Sequence, residues 1–393
     1  MPASAASQEP PDFSLVLGGP LYQIFRRTHL SGPALELLRR RIVFFFLLCW
    51  VPLAVLSFQE GHLLTAKFSF LRDIETQVRF LVSLPTLLLA ELVVHRRLRA
   101  VVKGFIARRV FSSEELPKFH TVIDSTMRMR NSIIAEVVLL VVVFTSGIWI
   151  WRNEVALDVA SWYASPQGGQ MHLTEAGSWF AFISVPAFQF ILLRWYMRML
   201  IWFLCLLRIS LLKLNLLPAH PDRTGGISFL SISSYAFIPV LFAQGALLAG
   251  QIASRIFHNG QSLLSFKLTI AGFAGFFVAA VLVPLLLFMP KLVLAKRQGL
   301  GEYGALASEY VMEFDQKWLR SKAHAEELLG SGDIQSLADL GNSFAVVRQM
   351  RTVPFTTDDV VRLLVATLVP LTPLLLTIMP LEKLVTQAIK IVF

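Results

Sequence analysis

The feature that most constrains this chain is a series of apolar runs, each close to the roughly 20 residues that an α-helix needs to cross the hydrocarbon core of a bilayer. Seven runs occur, over residues 42–58, 78–94, 132–151, 178–196, 229–254, 268–289 and 360–381. Helices are favoured there because backbone polar groups in lipid must be satisfied within the segment itself. The sequence therefore predicts an all-α, polytopic transmembrane helical bundle of about seven spans.

Composition agrees with a membrane protein and narrows the partners. Hydrophobic residues make up 55% of the chain, charged residues only 16%, and the mean hydropathy is +0.62. The net charge is +10, but the basic residues crowd the ends of the apolar runs, where anionic lipid headgroups are the expected partner and nucleic acid is not. Cys49 and Cys205 lie inside apolar runs, so we expect no thiolate metal site, and no motif indicates a cofactor.

Lysine and arginine counts predict the orientation of the spans. Residues 1–41 contain five, residues 95–131 nine and residues 290–359 eight, whereas residues 59–77, 152–177 and 255–267 contain two, one and two. The positive-inside rule then places the N-terminus in the cytoplasm and the C-terminus outside. Residues 194–217 stay apolar beyond the fourth run, and we expect one span followed by a cytoplasmic or interfacial helix over 197–217.

The segments predicted to be cytoplasmic form a helical cap. The first is the N-terminal segment 1–41, of which residues 1–11 have a disordered composition. Residues 96–131 predict two basic helices with a turn near 112–115, and residues 291–359 predict a hairpin of two amphipathic helices before the C-terminal span in 360–393. A homo-oligomer or a protein partner is expected to assemble through residues 303–350. The two apolar stripes of the hairpin are Tyr303, Leu306, Tyr310, Phe314, Trp318, Ala325 and Leu328, and then Ile334, Leu337, Leu340, Phe344 and Val347.

Ionisable side chains inside the predicted spans mark the first candidate site. Glu91 and Glu136 lie in the second and third spans, and Arg194 and Arg198 lie one turn apart in the fourth. Such groups usually face the bundle interior or a water-filled cavity, because an unpaired charge in lipid costs a few kcal/mol or more. We expect one buried cluster near the cytoplasmic ends of the spans. The alternative is snorkelling of the longer side chains towards the headgroups.

The fifth and sixth spans carry weaker signals. Gln244 and Gln251 lie seven residues apart on one face of the fifth span, where they would line a polar path or hydrogen-bond between helices. Small residues recur every four positions, at Ala246 and Gly250 in the fifth span and at 271, 275 and 279 in the sixth. This spacing predicts that the two spans pack closely against each other.

A polar motif between the fourth and fifth spans is the second candidate site. Proline stiffens the stretch LLPAHPDRTGGISFL at 216–230, and its paired glycines permit left-handed conformations. His220, Asp222 and Arg223 lie close together in this turn. The structural interpretation is an Asx-type turn in which Asp222 accepts backbone N–H groups, and the functional one is a site for a cation, a phosphate headgroup or a proton. A lone His-x-Asp lacks the third ligand of a metal site, so no metal is expected.

Three stretches of the C-terminal half carry a resemblance. HPDRTGG at 220–226, SGDIQSLADL at 331–340 and RQMRTVPF at 348–355 resemble a family of bacterial multi-pass inner-membrane proteins whose activity is not established. The resemblance implies a location in the bacterial inner membrane and implies no reaction.

Three functions are compatible with these features. The intramembrane charges favour a transport or channel-type protein, in which the cluster and the glutamines of the fifth span line a pathway. The insertion between the last two spans favours a membrane-anchored sensor or assembly scaffold. The third hypothesis is a lipid- or phosphate-acting enzyme that uses His220 and Asp222 as an acid–base pair. The sequence contains no nucleotide loop or hydrolase motif to accompany it.

Overall fold

The computed structural model describes residues 13–27, 37–64, 69–147, 161–167, 170–320 and 331–377. They form a helical bundle with one short antiparallel hairpin, β1 (Ala164–Gln167) and β2 (Gln170–Leu173). The prediction of a mostly α-helical chain is therefore confirmed. The helices are α1 (Pro20–Arg27), α2 (Leu38–Gln59), α3 (Ile74–Ala107), α4 (Leu116–Arg130), α5 (Ile133–Val142), α6 (Glu175–Leu211), α7 (Ser228–Asn259), α8 (Leu263–Leu286), α9 (Met289–Phe314), α10 (Gly332–Arg348) and α11 (Thr357–Thr377).

Six helices in the described residues are long and apolar enough to cross a membrane, namely α2, α3, α6, α7, α8 and α11. They coincide with six of the seven predicted spans, which supports the membrane character of the chain. The predicted third span, 132–151, is described only as α5 and a π-helical turn that follows it, Val143–Gly147. Its residues 148–151 and residues 378–381 of the last predicted span lie outside the described residues.

The helices α3 and α6 share one local design. Each begins at a side-chain cap, Asp73 for α3 and Thr174 for α6, which accepts the backbone N–H three residues later. Each then contains a five-residue π-helical turn, Arg79–Ser83 and Phe180–Ser184. Proline follows two residues after that turn, 12 residues beyond the cap in both helices. Proline cannot donate the usual helical hydrogen bond and clashes with the preceding turn, and a wider turn upstream relieves that clash.

A proline also interrupts α2, which consists of Leu38–Cys49 and Val51–Gln59. Pro52 lacks the N–H that would serve the carbonyl of Leu48. The Trp179 indole N–H donates to that carbonyl at 3.0 Å, and the Ser184 hydroxyl donates to the carbonyl of Cys49 at 2.9 Å. Side chains of α6 therefore satisfy the break in α2, as the absence of water in a membrane interior requires.

The helix α6 is continuous over 37 residues, or about 55 Å, which exceeds the roughly 30 Å of a hydrocarbon core. It is thus one helix with an extension and not a pair of spans. The predicted extension over 197–217 is wrong at its end, because α6 stops at Leu211 and Leu212 is extended. The following N–H groups bond elsewhere: Asn215 donates to the carbonyl of Val110 at 2.8 Å, and Leu217 donates to that of Gly225 at 3.2 Å.

The helices α9 and α10 pack side by side as a hairpin. A π-helical turn, Asp315–Arg320, continues α9. Asp333 at the start of α10 accepts the Trp318 indole N–H at 2.8 Å and pairs with Lys317 at 2.9 Å. Two members of the predicted apolar stripes do not join this contact, because Leu306 and Ile334 are 51% and 47% exposed. Ala325 and Leu328 lie outside the described residues.

Close packing of α7 involves other partners than those predicted. A Cβ atom placed on Gly245 would lie 2.9 Å from the carbonyl carbon of Thr367 in α11, and one on Gly250 would lie 3.3 Å from Val78 in α3. By contrast, a Cβ on Gly275 in α8 would meet no atom within 4 Å. The expectation that the small residues of the fifth and sixth spans pack against each other is therefore wrong. Backbone approach is needed where α7 crosses α3 and α11.

Candidate functional site

Five ionisable side chains meet inside the bundle. Arg198 donates to Oε1 of Glu91 at 2.9 Å, Arg41 donates to Oε2 of the same carboxylate, and Arg194 lies 3.7 Å from Oε1. The Nε of Arg194 is also 3.1 Å from Oε1 of Glu136. All five residues are at most 4% exposed. We call these five residues the charge cluster.

Four members of the charge cluster were predicted from the sequence, and Arg41 was not. That residue belongs to the run Arg39-Arg40-Arg41 before the first span, which positive-inside counting assigns to the headgroup region. Its position, however, is four residues before Phe45 and eight before Cys49, and all three are buried. Residues four apart share one helix face, so helical spacing was the signal that would have placed Arg41 in the interior.

The N-terminal residues 13–19 lie over the charge cluster. Residues 13–16 are buried, and Phe13 packs on Trp202 with ring centroids 5.9 Å apart. The Ser14 hydroxyl accepts the N–H groups of residues 16 and 17 and lies 2.9 Å from Nδ1 of His95. Arg194 donates to the carbonyl of Gly18 at 3.2 Å. This segment, which was not predicted to be part of a site, closes the charge cluster on one side.

Two glycines let this segment approach closely. A Cβ on Gly19 would lie 2.8 Å from Oε1 of Glu136, and one on Gly18 would overlap Arg130 and Asn131. Arg130 itself donates to the carbonyl of Ser14. Burial, and next the nearby positive charge of Arg198, lower the pKa of Arg130 to about 10. Residues 13–19 are thus packed directly onto the charge cluster, close to its arginines and to Arg130.

The structure separates the two glutamines of the fifth span. Gln244 is 3% exposed and accepts the Tyr196 hydroxyl at 3.0 Å, so it links α7 to α6. Gln251 is exposed on the outside of α7. The prediction that both glutamines line a polar path or bond between helices is therefore wrong for Gln251, because the face of α7 that carries it is uncovered there although Ile252 and Ala253 on another face are buried. Interhelical bonding is the observed arrangement for Gln244.

The HPDRTGG turn has the predicted backbone conformation. Asp222 accepts the N–H groups of Thr224, Gly226 and Ser228 at 2.8, 3.0 and 3.0 Å. Gly225 and Gly226 have φ values of +65° and +97°, which glycine adopts without a steric penalty. Partial burial raises the pKa of Asp222, but the three backbone donors outweigh it and bring the value to about 2. The side chain is therefore held as a structural acceptor.

The same turn anchors the hairpin of α9 and α10 to the bundle. The N–H of Arg351 donates to the carbonyl of Arg223 at 2.7 Å, and its guanidinium donates to that of Asp222 at 3.2 Å. His220 lies 2.9 Å from the Asp222 carboxylate, and the Arg223 side chain is exposed. These contacts favour the structural interpretation of the motif over the acid–base one.

Of the two candidate sites, the charge cluster is the one whose side chains are arranged to act on a charged solute. Three guanidinium groups and two carboxylates lie in an interior shielded from water, where electrostatic interactions are stronger than at a surface. Among the described residues, no group of three His, Cys, Asp or Glu side chains is placed to hold a metal ion. Comparisons of the chain with protein-family models, with curated proteins and with solved structures found no match.

Proposed function

We propose that this chain is a membrane protein of the transport or channel type and that the charge cluster lies on its pathway. The observation that carries this proposal is the meeting of Arg41, Glu91, Glu136, Arg194 and Arg198 inside an apolar bundle. Charged groups are costly there even when paired, and a structural role alone is served as well by apolar packing.

The membrane arrangement that accompanies this proposal has seven spans with the N-terminus in the cytoplasm. The lysine and arginine counts of the loops support this orientation, and the helix lengths give the depth of the charge cluster. Glu91 lies 18 residues after the Asp73 cap and Arg194 lies 20 residues after the Thr174 cap, about 27 and 30 Å along their helices. If both caps lie at the outer interface, the charge cluster lies at the inner edge of the hydrocarbon core. The resemblance in the C-terminal half favours a bacterial inner membrane.

The test is solute flux into liposomes that contain the purified full-length protein. We expect a flux of ions or small solutes above that of empty liposomes, and Glu91→Gln should reduce or alter it. Glu309→Gln is the matched control, because Glu309 is exposed and lies away from the charge cluster. Absence of flux for a panel of inorganic ions and small organic solutes, together with an unchanged cellular phenotype for Glu91→Gln, would refute the proposal.

A scaffold is the second candidate, and the exposed apolar side chains of α9 and of the turn that continues it favour it. Leu306, Met312 and Leu319 are 51%, 60% and 70% exposed there, which is typical of a surface that binds another protein or a second copy of the chain. Leu319→Glu should then abolish cellular function and leave liposome flux unchanged. An unaltered phenotype in this variant would remove the scaffold hypothesis.

A further inference from the structure

The charge cluster is not neutral. Its three arginines and two glutamates leave one positive charge in excess, and all five side chains are at most 4% exposed. Arg130, half-buried beside the N-terminal segment, adds charge of the same sign. An uncompensated charge in an apolar interior is strongly unfavourable and is normally balanced by a counter-charge.

The unpaired donors of the cluster's arginines belong to the two that hold the Glu91 carboxylate. Nε and Nη2 of Arg41 and Nη2 of Arg198 have no hydrogen-bond partner in the part of the chain that the structure describes. Arg41 and Arg198 hold opposite oxygens of the Glu91 carboxylate. Their guanidinium groups therefore flank one carboxylate and carry three buried nitrogen atoms whose N–H groups lack an acceptor in the described residues.

The surroundings limit the size of an acceptor at this place. Arg41 and Arg198 are 1% and 2% exposed, so an acceptor beside them is enclosed by protein. Trp195 stacks under Arg198, with the guanidinium carbon 4.8 Å from the ring centroid. A phosphate headgroup with its glycerol is too large for such an enclosure, whereas a monatomic anion is compatible with it.

We propose that Arg41 and Arg198 bind a small monovalent inorganic anion of the size of chloride, beside Glu91. The anion neutralises the excess charge and accepts N–H groups that the protein leaves unpaired. The identification of this anion as the transported solute rests on the proposed function. As a statement about binding, it is tested without any flux measurement.

The experiment is thermal unfolding of the purified full-length protein in an uncharged detergent, as chloride replaces gluconate at constant ionic strength. We expect the unfolding midpoint to rise with chloride and with bromide. Arg41→Gln removes the excess charge and two donors, so its apparent chloride affinity should fall at least about tenfold. Glu91→Gln increases the excess charge, so its apparent affinity should rise. Arg320→Gln, an exposed arginine paired with Asp315, should leave the chloride response unchanged.

Opposite shifts in the apparent chloride affinity of Arg41→Gln and Glu91→Gln distinguish a binding site from a general salt effect. Arg198→Gln replaces Arg41→Gln if the latter does not fold. A chloride response that is absent in both the native protein and Glu91→Gln overturns the proposal, as does a response that Arg41→Gln and Arg198→Gln retain. Equal stabilisation by phosphate overturns the assignment to a small anion. Chloride binding without flux would refute transport and leave the site, whereas flux without a chloride response would refute the site alone.

Discussion

Replacement of Gly245 by alanine tests the packing of the bundle most directly. The added Cβ would lie 2.9 Å from the carbonyl carbon of Thr367, closer still to its oxygen, and 3.4 Å from Cδ of Pro370. Carbon atoms in favourable contact are about 3.5–4.0 Å apart. The Thr367 atoms are backbone, so no rotamer change relieves the overlap. Helices α7 and α11 must separate by more than half an ångström along this line of approach.

The expected cost follows from overpacking in other protein interiors, which is typically about 1–3 kcal/mol. We place Gly245→Ala at about 3 kcal/mol, because a rigid carbonyl is the obstacle and the separation loosens neighbouring contacts as well. Gly275→Ala is the matched control. It lies on α8 with no atom within 4 Å of its added carbon, so it should leave stability unchanged within about 1 kcal/mol.

The assay is unfolding of both variants and the native protein in mixed micelles, with sodium dodecyl sulfate as denaturant and tryptophan fluorescence as the signal. A lowered midpoint for Gly245→Ala alone is the expected result. If both variants unfold with the native protein, α7 and α11 do not approach each other as closely as the structure places them, and the packing argument fails.

Three further changes test the turn, the N-terminal segment and a helix cap. Asp222 has a pKa depressed to about 2, so it contributes about 2 kcal/mol above pH 4 that is lost as pH falls towards 2, and Asp222→Asn should remove that part of the pH dependence of unfolding. Ser14→Ala deletes an acceptor of two N–H groups and a partner of His95, so its stability should fall by about 1–3 kcal/mol, and an unchanged midpoint would mean that residues 13–19 are not bound in the bundle. Thr356→Ala breaks the capping box with Asp359 and should cost about 1 kcal/mol, measurable as faster amide exchange in the first turn of α11.

The spans and most of the charge cluster were predictable from the sequence for one reason. Lipid imposes length and apolarity on each span separately, so each is recognisable without its neighbours. Ionisable residues inside such a span are then stabilised mainly by pairing with one another. Glu91, Glu136, Arg194 and Arg198 were expected to meet on that argument, and the structure brings them together.

Which helices touch which was not predictable in the same way. The small residues of α7 and α8 have similar spacing, yet Gly245 and Gly250 face α11 and α3, and Gly275 faces open space. Spacing defines a smooth helix face and carries no information about the helix that covers it. The prediction for Gln251 failed for the same reason. Gln251 shares a helix face with Gln244, but Gln244 is buried and Gln251 is exposed.

The N-terminal segment escaped prediction because it has no regular periodicity. Residues 13–17, FSLVL, are too few to span a membrane and precede the first apolar run by more than 20 residues. Their burial depends on contacts more than 80 residues away, such as that of Ser14 with His95. Local sequence patterns describe helices and strands well, but an irregular segment that fills a space between helices is specified by those helices.

The depth at which the charge cluster forms is set at the opposite end of the bundle. The Trp162 indole N–H donates to the Asp73 carboxylate at 3.0 Å, and the Thr174 hydroxyl donates to the carbonyl of Trp162 at 2.9 Å. One residue thus aligns the caps of α3 and α6. Both helices then pass through a π-helical turn and a proline at the same distance from the cap, so they accumulate the same rise and the same extra residue. Because of this common register, Glu91 and Arg194, at 18 and 20 residues from their caps, arrive 3.7 Å apart, and a slip of one turn, about 5.4 Å, in either helix would separate these two side chains beyond ion-pair distance.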